Sequence, residues 1–231
     1  MKLCAIIAAG GRGVRMKSSV NKQFIEIEKK PIIAHTLEKF EKCADVDSII
    51  PVVPEDWFLY IAENIVDKYG ISKVGKIVIG GENRQESVFA ALKSLEADAT
   101  HVAIHDAVRP FVDEDSLNDV LRVGKSTGAA ILAIPVMDTL KQVKAGIVEK
   151  TLDRSLAWLI QTPQVFEKTA IFQAYKKAFE DGILATDDSA LLERLGYKIH
   201  VVEGAASNIK ITTPEDLTFA KYILTQKTNL K

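Results

Sequence analysis

The chain has 231 residues, 47% of them hydrophobic and 26% charged, a composition that excludes disorder, collagen-like repeats and low complexity and predicts one large domain. Thirty basic residues against thirty-one acidic ones leave a net charge of −1, so no overall field would recruit nucleic acid or a membrane surface. The longest apolar runs, residues 3–9 and 129–134, fall well short of the ~18–20 residues of a bilayer span.

Strand-length apolar runs recur at 3–9, 48–53, 76–79, 101–104, 129–134 and 198–202. Each is nearly continuously apolar, as expected when helices cover both faces of a sheet. Between them, residues 84–95 place Val88, Ala91, Leu92 and Leu95 on one helical face. Thr213-Pro214-Glu215-Asp216 reads as an N-cap, a first-turn proline and acids at the positive helix end. Leu217, Ala220 and Leu224 then form the buried stripe of a C-terminal helix. The alternation predicts an α/β fold, a Rossmann-like open, mostly parallel twisted sheet with helices on both faces. Residues 1–231 are expected to form a single domain. One segment, about 136–155, breaks the rhythm: two short extended runs flank Lys144-Ala145-Gly146, which predicts a projecting β-hairpin arm.

Only two cysteines, Cys4 and Cys43, are present, too few for a disulfide framework or a cysteine metal cage. The single charge Lys2 before the first run leaves no room for a signal peptide, so a cytoplasmic location is expected.

The first strand leads into Ala8-Ala9-Gly10-Gly11-Arg12-Gly13-Val14-Arg15-Met16. Small residues let the backbone approach a ligand and turn its N–H groups inward as an anion cradle. A dinucleotide loop would need glycine where Met16 stands, and a Walker loop would need a Lys-Ser or Lys-Thr pair. Positive charge is what this loop offers instead: Arg12, Arg15, Lys17 and then Lys22 suit a triphosphate.

Ala-Gly-Gly-x-Gly-x-Arg-Met followed by Lys22-Gln23-Phe24 resembles the sugar-phosphate nucleotidyltransferases. Gly80-Gly81-Glu82-Asn83-Arg84-Gln85-Glu86-Ser87-Val88 and His105-Asp106-Ala107-Val108-Arg109-Pro110 are similar to segments of its cytidylyltransferase branch. Asp138-Thr139, Asp153-Arg154, Trp158, Thr162-Pro163-Gln164, Thr186-Asp187-Asp188 and Asn208-Ile209-Lys210-Ile211 extend the match across nearly the whole chain. This series resembles the 2-C-methyl-D-erythritol 4-phosphate cytidylyltransferase family. Three departures are Asn21 where proline is common, Val108 for alanine and Glu82 for aspartate; they imply modest changes in affinity.

The resemblance implies transfer of CMP from CTP to a sugar-alcohol phosphate with release of pyrophosphate. The attacking phosphate, with a second pKa of about 6, is already largely ionised at neutral pH, so no general base is needed. What the transfer needs is alignment of two anions and stabilisation of charge on the transferred phosphate. By resemblance, Arg15 and Lys22 stabilise the transition state, and Gly10, Gly11 and Gly13 let the loop wrap the triphosphate. Arg154 and Lys210 grip the acceptor phosphate, while Thr139 and Arg109 hold its polar end. Ala8, Ala9, Gly81, Glu82, Ser87 and Ala107 frame the nucleotide. Mg2+ or another divalent cation bridges phosphate oxygens, with Asp106 the protein carboxylate placed to approach it.

Plainer readings stand beside these. Lys22 suits a surface lysine, Arg154 an ion pair with Asp153, Lys210 an exposed strand position alternating with Ile209 and Ile211, and Asp106 a turn cap before Arg109-Pro110. His35, His101, His105 and His200 lack metal-ligand spacing and read as structural. Trp158 and Phe166 read as packing groups, and Asp187-Asp188 as a helix start. The apolar Leu140, Val143 and Ile147 would leave the arm unstable alone, and exchange with a twofold partner would bury them. The family forms homodimers through this arm, which implies that Arg154 serves the neighbouring pocket. Two alternatives remain: a ribitol-5-phosphate cytidylyltransferase and a non-catalytic nucleotide-binding regulatory module.

Overall fold

The computed structural model describes residues 1–10 and 21–229. Its centre is a seven-stranded sheet built from β1 (Leu3–Ala8), β4 (Ser48–Val53), β5 (Val78–Ile79), β6 (His101–Asp106), β7 (Ala129–Pro135), β10 (Trp158–Glu167) and β11 (His200–Glu203). The spatial order is β11-β7-β10-β6-β1-β4-β5. All neighbours are parallel except β10, which runs antiparallel to both β6 and β7. The mostly parallel α/β sheet is thus observed, with one reversed strand that the apolar runs did not reveal. The reason lies in its sequence. Gln161-Thr162-Pro163-Gln164 interrupts the apolar character of β10, and its register with β7 shifts across this stretch.

Strand alternation directs successive side chains to opposite faces. From β1, Leu3, Ala5 and Ile7 enter one apolar cluster, while Cys4 and Ile6 enter another. Helices α1 (Ile32–Lys42) and α4 (Glu114–Thr127) cover the first face through Leu37, Phe40, Leu117, Val120 and Leu121. Helices α3 (Arg84–Ser94), α5 (Lys168–Glu180) and α6 (Ser189–Glu193) cover the second through Val88, Leu92, Ile171, Tyr175 and Leu192. The short α2 (Phe58–Ile61) completes the helices before the last.

A third cluster joins Val108, Phe111 and Ile211 to Ile27, within the small ladder of β2 (Glu26–Ile27) with β3 (Lys30–Pro31), and to Ile32 just after it. The C-terminal helix α7 (Pro214–Asn229) closes it with Ala220 and Ile223. Its start follows the expected chemistry. The Thr213 hydroxyl accepts from the Asp216 N–H at 3.3 Å, and the Asp216 carboxylate accepts from the Thr212 and Thr213 N–H groups at 2.7 and 2.9 Å.

The predicted arm is a hairpin of β8 (Lys141–Lys144) and β9 (Ile147–Thr151), paired with each other only. Ala145 and Gly146 both have positive φ, 48° and 80°, the requirement of a tight hairpin turn. Every residue of both strands is exposed. Among the described residues, no helix is long and apolar enough to cross a membrane.

Candidate active site

Chain order turns back at β1: β4 and β5 extend to one side of it, whereas β6 lies on the other. Open α/β sheets bind ligands in the crevice at such a switch point, beyond the strand ends. Ala8 and Asp106 are register partners across β1 and β6, so Ala9, Gly10 and Ala107 continue side by side into that crevice. The pocket there is lined by Ala8, Ala9, Gly10, Lys22, Arg84, Ser87, Asp106, Ala107 and Lys210, with Gln23 and Val108.

Local chemistry fixes each side chain. Lys22 opens a single helical turn whose next two residues are buried. The Gln23 amide donates to the Ala9 carbonyl at 2.6 Å, and Phe24 stacks on Trp57 with ring centroids 4.0 Å apart. Lys22 is therefore carried on an anchored turn. Asn83 caps α3 by accepting from the Glu86 N–H at 3.0 Å, and the Glu86 carboxylate reaches back to the Glu82 N–H at 2.8 Å. That reciprocal cap sets Arg84 at the first helical position and Ser87 one turn on. The Ser87 hydroxyl donates to the Asn83 carbonyl at 2.8 Å and accepts from the Gly81 N–H at 3.1 Å. Ser87 fills space that only glycine leaves. A Cβ on Gly10 would stand 2.7 Å from its Oγ, and one on Gly80 2.6 Å.

Lys210 lies on an extended segment with no ladder of its own, which corrects the strand reading of Asn208–Ile211. The alternation nevertheless holds: Ile211 is fully buried, its N–H donates to the Val108 carbonyl at 2.9 Å, and Lys210 turns the other way into the pocket. Asn208 ties this segment down from beneath, donating to the Gln161 side chain at 3.2 Å and the Thr162 carbonyl at 3.0 Å.

Asp106 is the centre of charge. Its Oδ2 lies 2.8 Å from Lys210 Nζ and 3.5 Å from Arg109 Nε, and its Oδ1 lies 3.2 Å from Arg84 Nε. Burial alone would raise this carboxyl, but Arg84, Lys210 and Arg109 together hold it far below the usual carboxylate range. Beneath it, a directional chain fixes the backbone. His105 Nε2 faces the Arg109 carbonyl at 3.0 Å, so that nitrogen carries the proton, and Nδ1 accepts from the Thr162 hydroxyl at 3.0 Å. Thr162 in turn accepts from the Asp106 N–H at 3.1 Å. Burial pushes the His105 imidazole down to about 4, consistent with the structural reading of this histidine.

The remaining expected residues divide. Gly81 and Glu82 line a neighbouring hollow with Gly10, continuous in sequence with Ser87. Arg109 borders the adjoining hollow with Lys210, Asp106 and Thr162. Its side chain is only 12% exposed, and its Nη1 donates to the Asn208 carbonyl at 2.7 Å, so this guanidinium holds the backbone that carries Lys210. Thr139 and Arg154 are both exposed on the arm, where Arg154 donates to the Met137 carbonyl; neither lines these pockets within one chain. Gly11, Gly13 and Arg15, with Arg12 and Lys17, lie outside the described residues.

Two site residues escaped the sequence reading. Arg84 sits unremarked inside a glycine motif, and Asp187-Asp188 carries only the reading of a helix start, which holds, since α6 begins at Ser189. Asp188 stands at the N-cap position of α6 but makes no capping bond there; the side chain that accepts from the Ala190 N–H, at 3.3 Å, is Asp187 Oδ1. Asp188 instead turns inward to Arg84. A cation at the positive end of a helix calls for nearby acids, a signal that Arg84 offered, but nothing local pointed to its partner.

The switch-point crevice, the glycine-bearing end of β1 and cations gathered on one buried carboxylate define an α/β nucleotidyltransferase. The model of the 2-C-methyl-D-erythritol 4-phosphate cytidylyltransferase family matches residues 3–226, and the chain belongs to that family. A relative of that name from Halalkalibacterium halodurans is 46% identical over 227 residues, 98% of this chain and 99% of its own. Another from Syntrophus aciditrophicus is 45% identical over 224 residues, 96% of each chain. Among solved structures, 4-diphosphocytidyl-2C-methyl-D-erythritol synthase from Anaerococcus prevotii superimposes with a TM-score of 0.85 at 34% identity, covering 97% of this chain and 96% of that one.

Proposed function

We propose that this enzyme transfers CMP from CTP to 2-C-methyl-D-erythritol 4-phosphate, giving 4-diphosphocytidyl-2-C-methyl-D-erythritol and pyrophosphate in non-mevalonate isoprenoid precursor synthesis. The observation that carries the chemistry is the convergence of Lys22, Arg84 and Lys210 on one crevice beside Asp106. An acceptor phosphate oxygen attacks the α-phosphate of CTP in line, the new P–O bond forms as the bond to the pyrophosphate oxygen breaks, and the departing charge stays on pyrophosphate. No proton needs to be removed, because the attacking phosphate is already ionised.

Ala8, Ala9, Gly10, Gly11, Gly13, Gly81, Glu82, Ser87 and Ala107 frame the nucleotide, with Asp106 below it. Lys22 and Arg15 stabilise the transferring phosphate, and Lys210 orients the acceptor, its segment held by Arg109. The residues fit a divalent cation carried by phosphate. Among the described residues no three His, Cys, Asp or Glu side chains gather into a cage, and Asp106 is the one carboxylate of the pocket lining. Mg2+ would be held by Asp106 and phosphate oxygens, and when bound it neutralises phosphate charge.

Residues 1–231 act as a single cytoplasmic domain with its arm at about 136–155, and two copies form a homodimer through that arm. The exposed Val143 and Ile147 and the placement of Arg154 and Thr139 away from their own chain's pocket support this reading. Light scattering after size-exclusion chromatography is expected to give a dimer mass; a fully active monomer would overturn the arm exchange. The acceptor is tested by pyrophosphate release with CTP, Mg2+ and each candidate separately. Methylerythritol phosphate is expected to support turnover; faster turnover with ribitol 5-phosphate would replace this acceptor, and binding of CTP without turnover on either would favour the regulatory-module reading.

A further inference from the structure

Behind the pocket, Asp188 is only 1% exposed. A carboxylate so deeply buried is costly unless paired and fully hydrogen-bonded. It is both. Arg84 grips it with two parallel bonds, Nη1 to Oδ1 at 2.8 Å and Nη2 to Oδ2 at 2.7 Å, and the buried Tyr175 hydroxyl donates to Oδ1. The start of α6 does not require this arrangement. Asp187 already accepts from the Ala190 N–H, and the Gln164 side-chain Oε1 accepts from the Ser189 N–H at 3.0 Å.

The far side of the same guanidinium faces the reaction. With both Nη groups held by Asp188, Arg84 presents only Nε to Asp106, on Oδ1 at 3.2 Å. The second oxygen, Oδ2, is thereby left for Lys210 at 2.8 Å, with Arg109 Nε farther away at 3.5 Å. A guanidinium prefers to take a carboxylate with two parallel bonds. Released from Asp188, Arg84 would be drawn to both oxygens of Asp106 and would displace the Lys210 ammonium. Charge therefore alternates from Asp188 through Arg84 and Asp106 to Lys210, with each link using atoms that the next does not.

We infer that Asp188 is a positioning residue for nucleotidyl transfer: by holding both Nη groups of Arg84, it keeps one oxygen of Asp106 for Lys210 and so fixes where that ammonium points. This inference rests on the cytidylyl-transfer reading of the pocket. Asp188 need touch neither substrate nor metal, and its effect runs through two intervening side chains.

The test is a double-mutant cycle on the full chain, measuring pyrophosphate release from CTP and methylerythritol phosphate. Wild-type turnover comes first, because its absence would defeat the transfer reading itself and remove the basis of the inference. With the wild type active, Asp188→Asn is expected to lower kcat/KM by about 10–100-fold, the scale of misplacing a reacting group by ~1 Å. In the Lys210→Ala background the same substitution is expected to cost less than about threefold, because the group it positions is gone. A purely structural role would give the full loss in both backgrounds, and that additivity would overturn the proposal. So would an Asp188→Asn single variant within twofold of wild type. If Asp188→Asn does not fold, Tyr175→Phe removes one bond to the same carboxylate and enters the same cycle. A several-fold loss in kcat/KM that disappears with Lys210→Ala supports the inference; no loss, or an equal loss in both backgrounds, refutes it.

Discussion

Lys210 and Asp106, brought together from distant parts of the chain, meet at 2.8 Å, and the same carboxylate also faces Arg84 and Arg109. Three cations on one buried anion leave the cluster positive after Asp106 is counted, which is the electrostatic condition for holding phosphate. Asp106→Asn would leave three cations without that counter-charge and is expected to destabilise the fold by about 3–5 kcal/mol. The folded carboxyl titrates below its unfolded value, about 3.9. Its stabilisation is therefore complete above that value and is lost only as pH falls through the lower folded value. Denaturant melts should show a constant gap between wild type and variant from pH 8 to about 5; a gap that closes near neutrality would contradict the ion-pair assignment.

His105 predicts a pH dependence of the same sign in a higher window. Its folded pKa, about 4, lies below the ordinary 6.5, so the unfolded chain binds its proton first as pH falls. Stability from this group is present above about 6.5 and declines between 6.5 and 4, by about 3 kcal/mol in all. His105→Gln cannot titrate, and its stability curve over that interval should be flatter than that of wild type. Parallel curves would show that His105 is not held neutral.

Lys22 is expected to act on the transferring phosphate and not on the base. Lys22→Ala should lower kcat by about 10²–10³-fold, the usual scale for losing one preorganised charge donor. Calorimetry should still detect CTP binding. Turnover equal to wild type would remove Lys22 from its role.

The close approach of Gly10 to Ser87 gives a test of the nucleotide frame. Gly10→Ala places a methyl group 2.7 Å from the Ser87 Oγ and is expected to destabilise by about 1–3 kcal/mol. Adding Ser87→Ala should restore part of that stability in urea melts, because the remaining Cβ contact is 3.4 Å. No recovery would place the strain elsewhere.

Much of the fold was legible because it obeys local periodicity. The apolar runs located six strands of the central sheet, Thr213-Pro214 located the start of α7, and Lys144-Ala145-Gly146 located the hairpin turn. Strand β10 did not follow from its residues, since its buried polar stretch lacks the apolar signature of a central strand. Gln161 and Thr162 are tolerated there because Ala205, Asn208, His105 and Asp106 supply their hydrogen-bond partners. Those partners come from other strands and loops, so no window of sequence contains them. The partner of Asp188 was hidden for the same reason: Asp188 does stand at the start of α6, and an acid there has the local form of a cap whichever way its side chain turns.

By itself, then, the sequence determined the α/β alternation, the small-residue composition after β1 and the family, because backbone periodicity and residue chemistry are local properties. Only the tertiary structure decided that Arg84 spends its fork on Asp188, that Arg109 braces Asn208, and that Lys210 takes the oxygen of Asp106 that Arg84 leaves. Coulomb interactions and hydrogen bonds act through distance in space, and the distances were set when β6, β10 and the segment before α7 closed around one buried carboxylate.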